Sequence, residues 1–266
     1  MTTSQAPDTG EAPSRDLAPQ RRRRILDIVS ARRGARLEDL SHALGVSMAT
    51  IRRDLDELAS QGVLHRVHGG AVATERPTEP HFEVKAAEAA EEKERIAARA
   101  VSLLAPDETI YLDSGSTTLA VARLLRGWDS LTVVTNSLPI AAELGGHGPK
   151  LIMIGGEFRP TSQAFVGPLS RHVLESLHVS KAFIGTYALS LEEGLSTTDA
   201  SEAFTKALAL ERATEVIVLA DSRKLGTTAF AAAGRLDQVD VLVTDAGIES
   251  HVARELQKRG IAVIKA

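Results

Sequence analysis

The sequence contains no cysteine, which excludes disulfide bonds, thiolate catalysis and zinc sites built on cysteine. It also has no apolar run that approaches the roughly 18 residues needed to cross a membrane. The first 15 residues are polar and lack the apolar stretch of a secretory signal. These absences lead us to expect a cytoplasmic protein that has no membrane partner.

Several motifs of enzymes and metal sites are absent as well. The chain has no G-x-x-x-x-G-K-[ST] loop, no G-x-G-x-x-G and no G-x-S-x-G. None of its eight histidines belongs to an H-x-x-x-H metal pair, and no further ligand stands near His65 and His68. We therefore predict no metal, no cofactor and no catalytic residue.

Charge is unevenly distributed along the 266 residues, although the net charge is only −4. Residues 15–70 contain 11 arginines and 7 acidic residues, a local charge of +4. The rest of the chain holds 20 basic and 28 acidic residues, which makes −8. This asymmetry indicates a basic module joined to an acidic one. The alternative is that a short window has this excess by chance.

The length suits one large or two modest domains, and four segments differ in their pattern. Residues 1–18 are rich in Pro, Thr, Ser and Ala without periodicity, which predicts a disordered tail. Residues 19–73 combine helical periodicity with a hairpin pattern. Residues 74–86 contain two prolines and predict a linker. Residues 87–266 predict a larger α/β domain, whose first helix covers about 86–104.

The pattern of residues 37–72 is typical of a winged helix-turn-helix. A short apolar series from Leu37 ends at Gly45, and the hydroxyl of Ser47 can cap the helix that follows. One apolar stripe anchors that helix to its neighbours, and it consists of Ile51, Leu55 and Leu58. The alternatives are a small helical bundle with incidental arginines and a module that docks another protein.

Seven short apolar runs alternate with helical stretches after the linker. Continuous apolar strands separated by helices predict a parallel sheet covered on both faces, which is a Rossmann-like α/β domain. The predicted strands are residues 109–112, 131–135, 151–154, 182–185, 215–220, 239–244 and 261–264.

Polar or glycine-rich segments follow four of these strands, and ligands of open α/β sheets bind beyond the carboxyl ends of strands. Small residues, hydroxyls and the N–H groups of a helix start can hold phosphate oxygens, and a lysine can supply the counter-charge. The alternatives are ordinary strand-to-helix turns and a solvated loop lysine. The predicted ligand-binding residues are Asp113, Ser114, Gly115, Ser116, Thr117, Thr118, Thr135, Asn136, Gly155, Gly156 and Lys224.

The N-terminal pattern resembles the helix-turn-helix of the DeoR family of bacterial regulators. The segments VSMATIRRDL at 46–55 and RVHGGA at 66–71 carry this resemblance, which implies a recognition helix followed by a wing. The predicted DNA-contact residues are Ser47, Met48, Thr50, Arg52, Arg53, Arg66 and His68. We expect Asp54 to brace the neighbouring arginines. Residues 21–24, all arginine, are either an arm onto the phosphate backbone or a solvated helix start.

The remaining chain, from about residue 93, resembles the effector-binding domain of the same family. The segments that carry the resemblance are DSGSTT at 113–118, TN at 135–136, GG at 155–156, KAFIG at 181–185 and ADSRK at 220–224. The resemblance implies a fold similar to ribose-5-phosphate isomerase and the coenzyme A transferases. It also implies that the effector is a phosphorylated sugar or a related metabolite.

Three further residues bear on this ligand. Glu202 and Lys206 match positions of the family, but they could equally form an i,i+4 pair on a helix surface. Tyr187 departs from the family pattern, because small or acidic residues are usual after the fourth strand. We expect Tyr187 to cap or narrow the pocket.

The two modules together predict a transcriptional regulator without catalysis. It would repress carbohydrate-metabolism genes and leave operator DNA when a phosphorylated sugar binds. We expect a homo-oligomer, a dimer or tetramer, because one helix-turn-helix rarely supplies enough specificity and symmetric half-sites suit dimers. The rival hypothesis is a sugar-phosphate isomerase-like enzyme with a DNA-binding appendage.

Overall fold

The computed structural model describes residues 18–32, 34–60, 62–67, 69–73 and 79–266. The chain divides into two compact units, Met1–Pro80 and His81–Ala266. The predicted tail lies outside the described residues except for Ala18, and so do residues 74–78 of the predicted linker. Within the described ranges, no helix is long and apolar enough to cross a membrane.

The described part of the first unit consists of three helices and a small antiparallel sheet with strand order β1-β3-β2. Its elements are α1 (Ala18–Arg32), β1 (Gly34–Arg36), α2 (Leu37–Leu44), α3 (Met48–Ser60), β2 (Leu64–Val67) and β3 (Gly70–Ala73). All three helices contribute fully buried side chains to one core, including Ile25, Leu40, Ile51 and Leu55. This arrangement is the predicted winged helix-turn-helix, with β1 as a strand that the sequence pattern does not predict.

The turn between α2 and α3 is fixed by local hydrogen bonds. Gly45 ends α2 in the left-handed conformation with φ 64°, which a glycine adopts without strain. Ser41 Oγ donates to the carbonyl oxygen of Val46 at 2.6 Å. Ser47 Oγ accepts from the backbone N–H of Thr50 at 3.2 Å, which confirms the predicted cap of α3.

The second unit contains a parallel sheet of seven strands and two small antiparallel sheets. Its described helices are α4 (Phe82–Ala87), α5 (Ala90–Val101), α6 (Ser116–Leu124), α7 (Leu138–Leu144), α8 (Arg171–Glu175), α9 (Ala200–Glu211) and α10 (Ser250–Lys258). Its described strands are β4 (Thr109–Leu112), β5 (Thr132–Thr135), β6 (Lys150–Met153), β7 (Glu157–Arg159), β8 (Ala164–Val166), β9 (Val179–Gly185), β10 (Ala188–Ser190), β11 (Gly194–Thr197), β12 (Ala213–Leu219), β13 (Ala231–Gly234), β14 (Val241–Thr244) and β15 (Ala262–Lys265).

The large sheet has the strand order β15-β14-β12-β9-β4-β5-β6, and every neighbouring pair is parallel. Each of the seven predicted runs forms one of these strands, so the predicted α/β fold is confirmed. Because the strands are parallel, their carboxyl ends lie along a single edge of the sheet. The ends of β4, β9 and β12 are adjacent at the centre of that edge.

The central strands are buried on both faces because alternate residues enter two different cores. In β12, Val216 and Val218 belong to the core that includes α9 and α10. Ile217 and Leu219 belong to the core that includes α5, α6 and α7. This double burial explains why the strands are continuous apolar runs without polar alternation.

The predicted helix at about 86–104 is confirmed for Ala90–Val101, which form α5, but its predicted start is wrong because a separate short helix precedes it. Residues 82–86 of the predicted linker form most of α4, and α5 starts at Ala90. Between the two helices, Ala89 has φ 48°, a left-handed conformation that interrupts the helical path. The side chain of Phe82 is 5% exposed and packs into the core of the second unit. The chain therefore packs into the core of the second unit two residues after the boundary at Pro80.

Candidate functional site

The DNA-contact residues predicted on α3 lie on its outward side. Arg52 and Arg53 are exposed, and neither has a hydrogen bond or ion pair with another described residue. Ser47 is exposed, and Met48 is 50% exposed. Ile51 lies on the opposite side and is fully buried. A helix that buries its apolar stripe and leaves its arginines open has the form required to enter the major groove of DNA.

The side chain of Arg66 has partners within the first unit. Its Nε lies 3.0 Å from Asp56 Oδ1, and its Nη1 donates to the Gly70 carbonyl oxygen at 3.1 Å. Arg66 therefore connects α3 to the wing formed by β2 and β3. Its contact with DNA stays a prediction. The other predicted wing contact, His68, lies outside the described residues.

Asp54 does not brace the neighbouring arginines of α3, so that expectation is wrong. The carboxylate is 3% exposed and accepts from two arginines of α1. Arg21 Nε donates to Oδ2 at 2.6 Å, and Arg22 Nε donates to Oδ1 at 3.2 Å. These bonds lock α1 to the recognition helix. Neither predicted role, a phosphate arm or a solvated helix start, describes the whole arginine run. Its first two members, Arg21 and Arg22, bind Asp54 and stabilise the packing of α1 on α3.

The loop after β4 folds on itself and starts α6. Thr118 Oγ1 donates to the Asp113 carbonyl at 2.6 Å and to the Gly115 carbonyl at 2.9 Å. Thr117 and Thr118 are buried, whereas Ser114, Gly115 and Ser116 are partly exposed. A ligand can reach Ser114, Gly115 and Ser116 at the first turn of α6, where backbone N–H groups of a helix start favour an anion.

A buried ion pair lies directly behind this loop. Lys206 on α9 donates through Nζ to Asp113 Oδ2 and to the Gly185 carbonyl oxygen, the latter at 2.8 Å. The N–H of Gly185 donates to the same Asp113 oxygen at 3.1 Å. Burial raises the pKa of Asp113, and the charge and hydrogen bond of Lys206 oppose that rise. The pair ties together α9 and the ends of β4 and β9.

Lys224 lies at the end of the neighbouring strand β12. Its Nζ donates to the Thr186 carbonyl oxygen at 2.9 Å, and the side chain is partly buried. Burial lowers the pKa of Lys224 to about 8. The charge of Asp221 raises this pKa, and three further lysines lower it. Those three are Lys93, Lys85 and Lys206, and we call the four together the lysine cluster.

Lys93 is a residue that the sequence analysis missed. It is 4% exposed, and its Nζ donates to the carbonyl oxygens of Lys85 and Glu88, the latter at 2.6 Å. Ser116 Oγ donates to the same Lys85 oxygen at 3.3 Å. The ammonium group therefore lies beside the predicted loop. No sequence signal could reveal it, because Lys93 belongs to an ordinary charged stretch of a helix.

Asp221 occupies the same corner of the sheet edge. Its side chain is 1% exposed, and Oδ1 accepts from Arg223 Nε at 2.8 Å. The other carboxylate oxygen, Oδ2, is buried and has no hydrogen-bond partner among the described residues. Buried carboxylate oxygens are normally satisfied by donors. Asp221 thus keeps one acceptor available, and its charge acts on both Lys224 and Lys93.

The structure does not bring all predicted ligand residues together. Thr135 is fully buried and donates to the Leu112 carbonyl at 2.7 Å. Asn136 accepts from Tyr111 Oη at 3.0 Å and donates to the Phe165 carbonyl at 3.0 Å, so it fastens the β7–β8 hairpin. Both side chains already have partners inside the protein.

The glycine pair after β6 lies far from Lys224. Four strand spacings separate β6 from β12 in the sheet, about 19 Å at roughly 4.8 Å each. A Cβ at position 156 would lie 2.8 Å from the Val166 carbonyl oxygen, so Gly156 serves the approach of β8. Gly155 is exposed and has nothing within 4 Å of its virtual Cβ. The direct contact of Gly155 and Gly156 with a ligand stays a prediction.

Glu202 and Lys206 do not form the i,i+4 pair that was one of the two alternatives. Glu202 accepts from Arg159 Nη1 at 3.2 Å and from Thr197 Oγ1 at 2.9 Å. Lys206 binds the loop after β4, as described above. Tyr187 is partly buried and follows Thr186 directly, so its backbone adjoins the carbonyl that holds Lys224.

Two family models match the chain in succession. The DeoR-like helix-turn-helix domain matches residues 21–76. The DeoR C terminal sensor domain matches residues 88–246. The first match covers the module with the exposed arginines, and the second covers the sheet edge with three members of the lysine cluster, Lys93, Lys206 and Lys224.

Curated relatives align with most of the chain. The HTH-type transcriptional regulator GlpR of Haloferax volcanii is 37% identical over 249 residues, 93% of this chain and 98% of the relative. The putative aga operon transcriptional repressor of Escherichia coli O157:H7 is 34% identical and covers 92% and 93%. The lactose phosphotransferase system repressor of Streptococcus mutans is 35% identical and covers 85% and 91%. These names describe regulators, not enzymes.

A solved structure of D-ribose-5-phosphate isomerase in complex with phospho-erythronic acid matches with a TM-score of 0.38 and 21% identity, over 51% of this chain and 54% of that one.

The two family models and the full-length relatives settle the classification. Both predicted modules are present in the predicted order. The chain belongs to the DeoR family of transcriptional regulators, in which a DNA-binding helix-turn-helix precedes a sensor domain.

Proposed function

We propose that this regulator represses a carbohydrate-metabolism operon and that a phosphorylated sugar or a related anionic metabolite releases it from operator DNA. Relatives of the chain are named as repressors of an aga operon and of a lactose phosphotransferase system. The exposed Arg52 and Arg53 support the DNA-binding part of the proposal. Arginines at these positions can bind phosphates or form a bidentate contact with a guanine edge.

The lysine cluster carries the ligand-binding part of the proposal. Lys85, Lys93, Lys206 and Lys224 come from four different elements, and the charges of the first three act on Lys224. Like charges in a partly buried place are unfavourable unless anions compensate them. Asp113 and Asp221 supply part of that compensation. An anionic ligand would supply more, and a phosphate group offers several acceptor oxygens to the ammonium groups.

The exposure of the residues supports a narrower proposal for the ligand site than the sequence pattern alone. We place the anionic group against Ser114, Gly115, Ser116 and Lys224. Asp113 orients Lys206 behind that group, and the buried Thr135 and Asn136 support the loop and the hairpin without touching the ligand. Tyr187 borders the uncharged part of the ligand, because it follows the residue whose carbonyl holds Lys224.

The protein would act on DNA as a dimer or tetramer. A single recognition helix reads only a few base pairs, and two copies related by a two-fold axis read a palindrome with far greater specificity. Sedimentation equilibrium of the full chain, alone and with operator DNA, tests this part. A monomer on a single half-site would contradict it.

A thermal-shift screen against a panel of sugar phosphates tests the ligand. One member should raise the melting temperature of the wild type in proportion to the logarithm of its concentration. Lys224→Met should abolish this shift. Lys258→Met is the matched control, because Lys258 is an exposed lysine on α10 whose partner is the exposed Glu255. An equal shift in Lys224→Met would place the ligand elsewhere.

A DNA-binding assay tests the regulatory consequence. An operator is first selected from a random-sequence library with the wild-type protein, and its affinity is then measured with and without the ligand found in the screen. The ligand should weaken binding. The affinity without ligand should fall steeply as salt rises, because phosphate contacts release counterions. An affinity that is indifferent to salt would favour a protein-docking module instead.

A further inference from the structure

The first residue of the recognition helix carries an oxidisable sulfur atom that is open to solvent. Met48 begins α3, and its side chain is 50% exposed. The core of the described part of the first unit is formed by other side chains and does not include Met48. A small oxidant can therefore reach Met48 Sδ without any opening of the fold.

Methionine is the only sulfur-containing residue type in this sequence, because the chain has no cysteine. Peroxides convert methionine to its sulfoxide, which is a common oxidative product. The three methionines are Met1, Met48 and Met153. Met1 lies outside the described residues, and Met153, on β6 in the second unit, is partly buried. Of the two described methionines, Met48 is thus the more accessible, and it is the one on the surface predicted to contact DNA.

The position of Met48 brings its sulfur to the end of α3 that meets the bases. Side chains of a helix point back towards its N-terminus, so the thioether extends past the first turn. It lies on the exposed side with Ser47, whereas Ile51 is fully buried. The N-terminal residues of a recognition helix contact base edges in the major groove. A thioether there can pack against a thymine methyl group without losing a strong hydrogen bond to water.

Oxidation changes this surface in a defined way. A lone pair of the sulfur attacks one oxygen of hydrogen peroxide, the O–O bond breaks, an S–O bond forms and water leaves. The sulfur loses two electrons and the peroxide gains them. The sulfoxide is a polar acceptor that has no proton to donate. Phosphate oxygens and the thymine methyl group offer it no donor, and burial of an acceptor without a donor is unfavourable.

We propose that Met48 is a site of reversible oxidation, and that its sulfoxide weakens the contact of the recognition helix with operator DNA. The regulator then responds to peroxide through α3, independently of any ligand at the sheet edge of the second unit. The proposal rests on the DNA-binding part of the proposed function, because the sulfoxide matters only on a surface that contacts DNA. Two methionine sulfoxide reductases, one for each epimer of the sulfoxide, make the modification reversible.

Treatment of the full-length protein with hydrogen peroxide, followed by operator binding, tests the proposal. Affinity should fall by about tenfold or more once mass spectrometry shows that Met48 is oxidised, the effect of losing a contact at a base edge. The two reductases should restore it. Met48→Leu has no sulfur at this position, so the ratio of its affinities before and after peroxide should stay near one. Met153→Leu is the matched control and should respond to peroxide as the wild type does.

Protection by DNA and thermal unfolding supply two further readouts. Saturating operator should slow the oxidation of Met48 severalfold and leave that of Met153 unchanged. The oxidised protein should keep its melting temperature, because Met48 is not part of the described core. A fall in melting temperature that parallels the loss of affinity would make the effect one of stability and overturn the proposal. Equal oxidation rates of Met48 with and without operator would overturn it as well, because Met48 would then lie off the interface.

The affinity of the reduced protein separates this proposal from the proposed function. If the reduced protein binds operator and oxidation of Met48 leaves the affinity unchanged, the role of Met48 is refuted while DNA binding stands. An equal loss of affinity in peroxide-treated Met48→Leu would assign the effect to another residue and also refute it. If the reduced wild type binds no operator, the proposed function itself is refuted and this proposal falls with it.

Discussion

Lys206 and Asp113 form an ion pair that is almost completely buried, with side-chain exposures of 7% and 3%. The pair joins α9 to the loop after β4, and both partners also bind the backbone of Gly185. It therefore sets the positions of three elements at the sheet edge where we place the effector. Its loss has consequences for stability that can be separated from those for ligand binding.

Lys206→Met should destabilise the protein by about 3–5 kcal/mol, because a buried carboxylate then has no counter-charge. Urea unfolding measures this loss. Asp113→Asn combined with Lys206→Met should recover part of it, since no charge remains buried. Full stability in Lys206→Met alone would show that the pair contributes little.

The loss of stability in Lys206→Met should depend on pH. Burial already raises the pKa of Asp113, and removal of the lysine raises it further. The folded state then binds more protons than the unfolded state above the ordinary pKa of an aspartate, so stability falls as pH rises through that window. Unfolding at several pH values should show the deficit shrinking towards acid pH. A deficit that is constant with pH would contradict the account of Asp113.

Ligand affinity should fall as pH rises through about 8, because burial lowers the pKa of Lys224 to that value. The anion needs the protonated lysine, whose fraction falls about tenfold for each pH unit above the pKa. The ligand does not change in this range, since the second pKa of a phosphate ester is about 6. Calorimetry between pH 7 and about 9.5 measures the effect. Lys224→Arg should keep its affinity at the alkaline end because arginine stays charged, and parallel loss in both proteins would assign the titration to another group.

Asp54→Ala should destabilise the first unit by about 1.5–3 kcal/mol, the usual effect of losing hydrogen bonds to charged groups. Two arginines of α1 lose their bonds to the Asp54 carboxylate, so α1 should separate from the recognition helix at lower temperature. Thermal unfolding followed by operator binding measures both consequences. Asp56→Ala is the comparison, because that carboxylate is 61% exposed and its ion pair with Arg66 should contribute less than about 1 kcal/mol. Equal losses in the two variants would contradict the role of Asp54.

Elements of the fold could be predicted from the sequence where a short segment by itself carries their pattern. The seven strands are continuous apolar runs because both of their faces are buried, and such runs are visible without a structure. The cap at Ser47 and the buried stripe of α3 were predictable for the same reason. The short antiparallel strands β7, β8, β10, β11 and β13 were not predicted. Each has three or four residues, too few for a periodic signal.

The candidate site was predictable only in part, because it depends on distant contacts. Position at a strand end identified Lys224 and the loop after β4, but position alone cannot tell a side chain that faces a ligand from one that braces the protein. Thr135 and Asn136 are of the second kind. Lys93 and Lys206 come from helices, and only the packing of those helices on the sheet brings their ammonium groups to its edge.

A single comparison of two variants tests the central claim that DNA binding and ligand binding reside in separate modules. Operator affinity and ligand affinity are measured for the wild type, for the double variant Arg52→Ala with Arg53→Ala, and for Lys224→Met. The account predicts that the arginine variant loses operator binding and keeps the wild-type affinity for the ligand. It predicts that Lys224→Met binds operator normally and no longer responds to the ligand. Loss of both activities in both variants would contradict it.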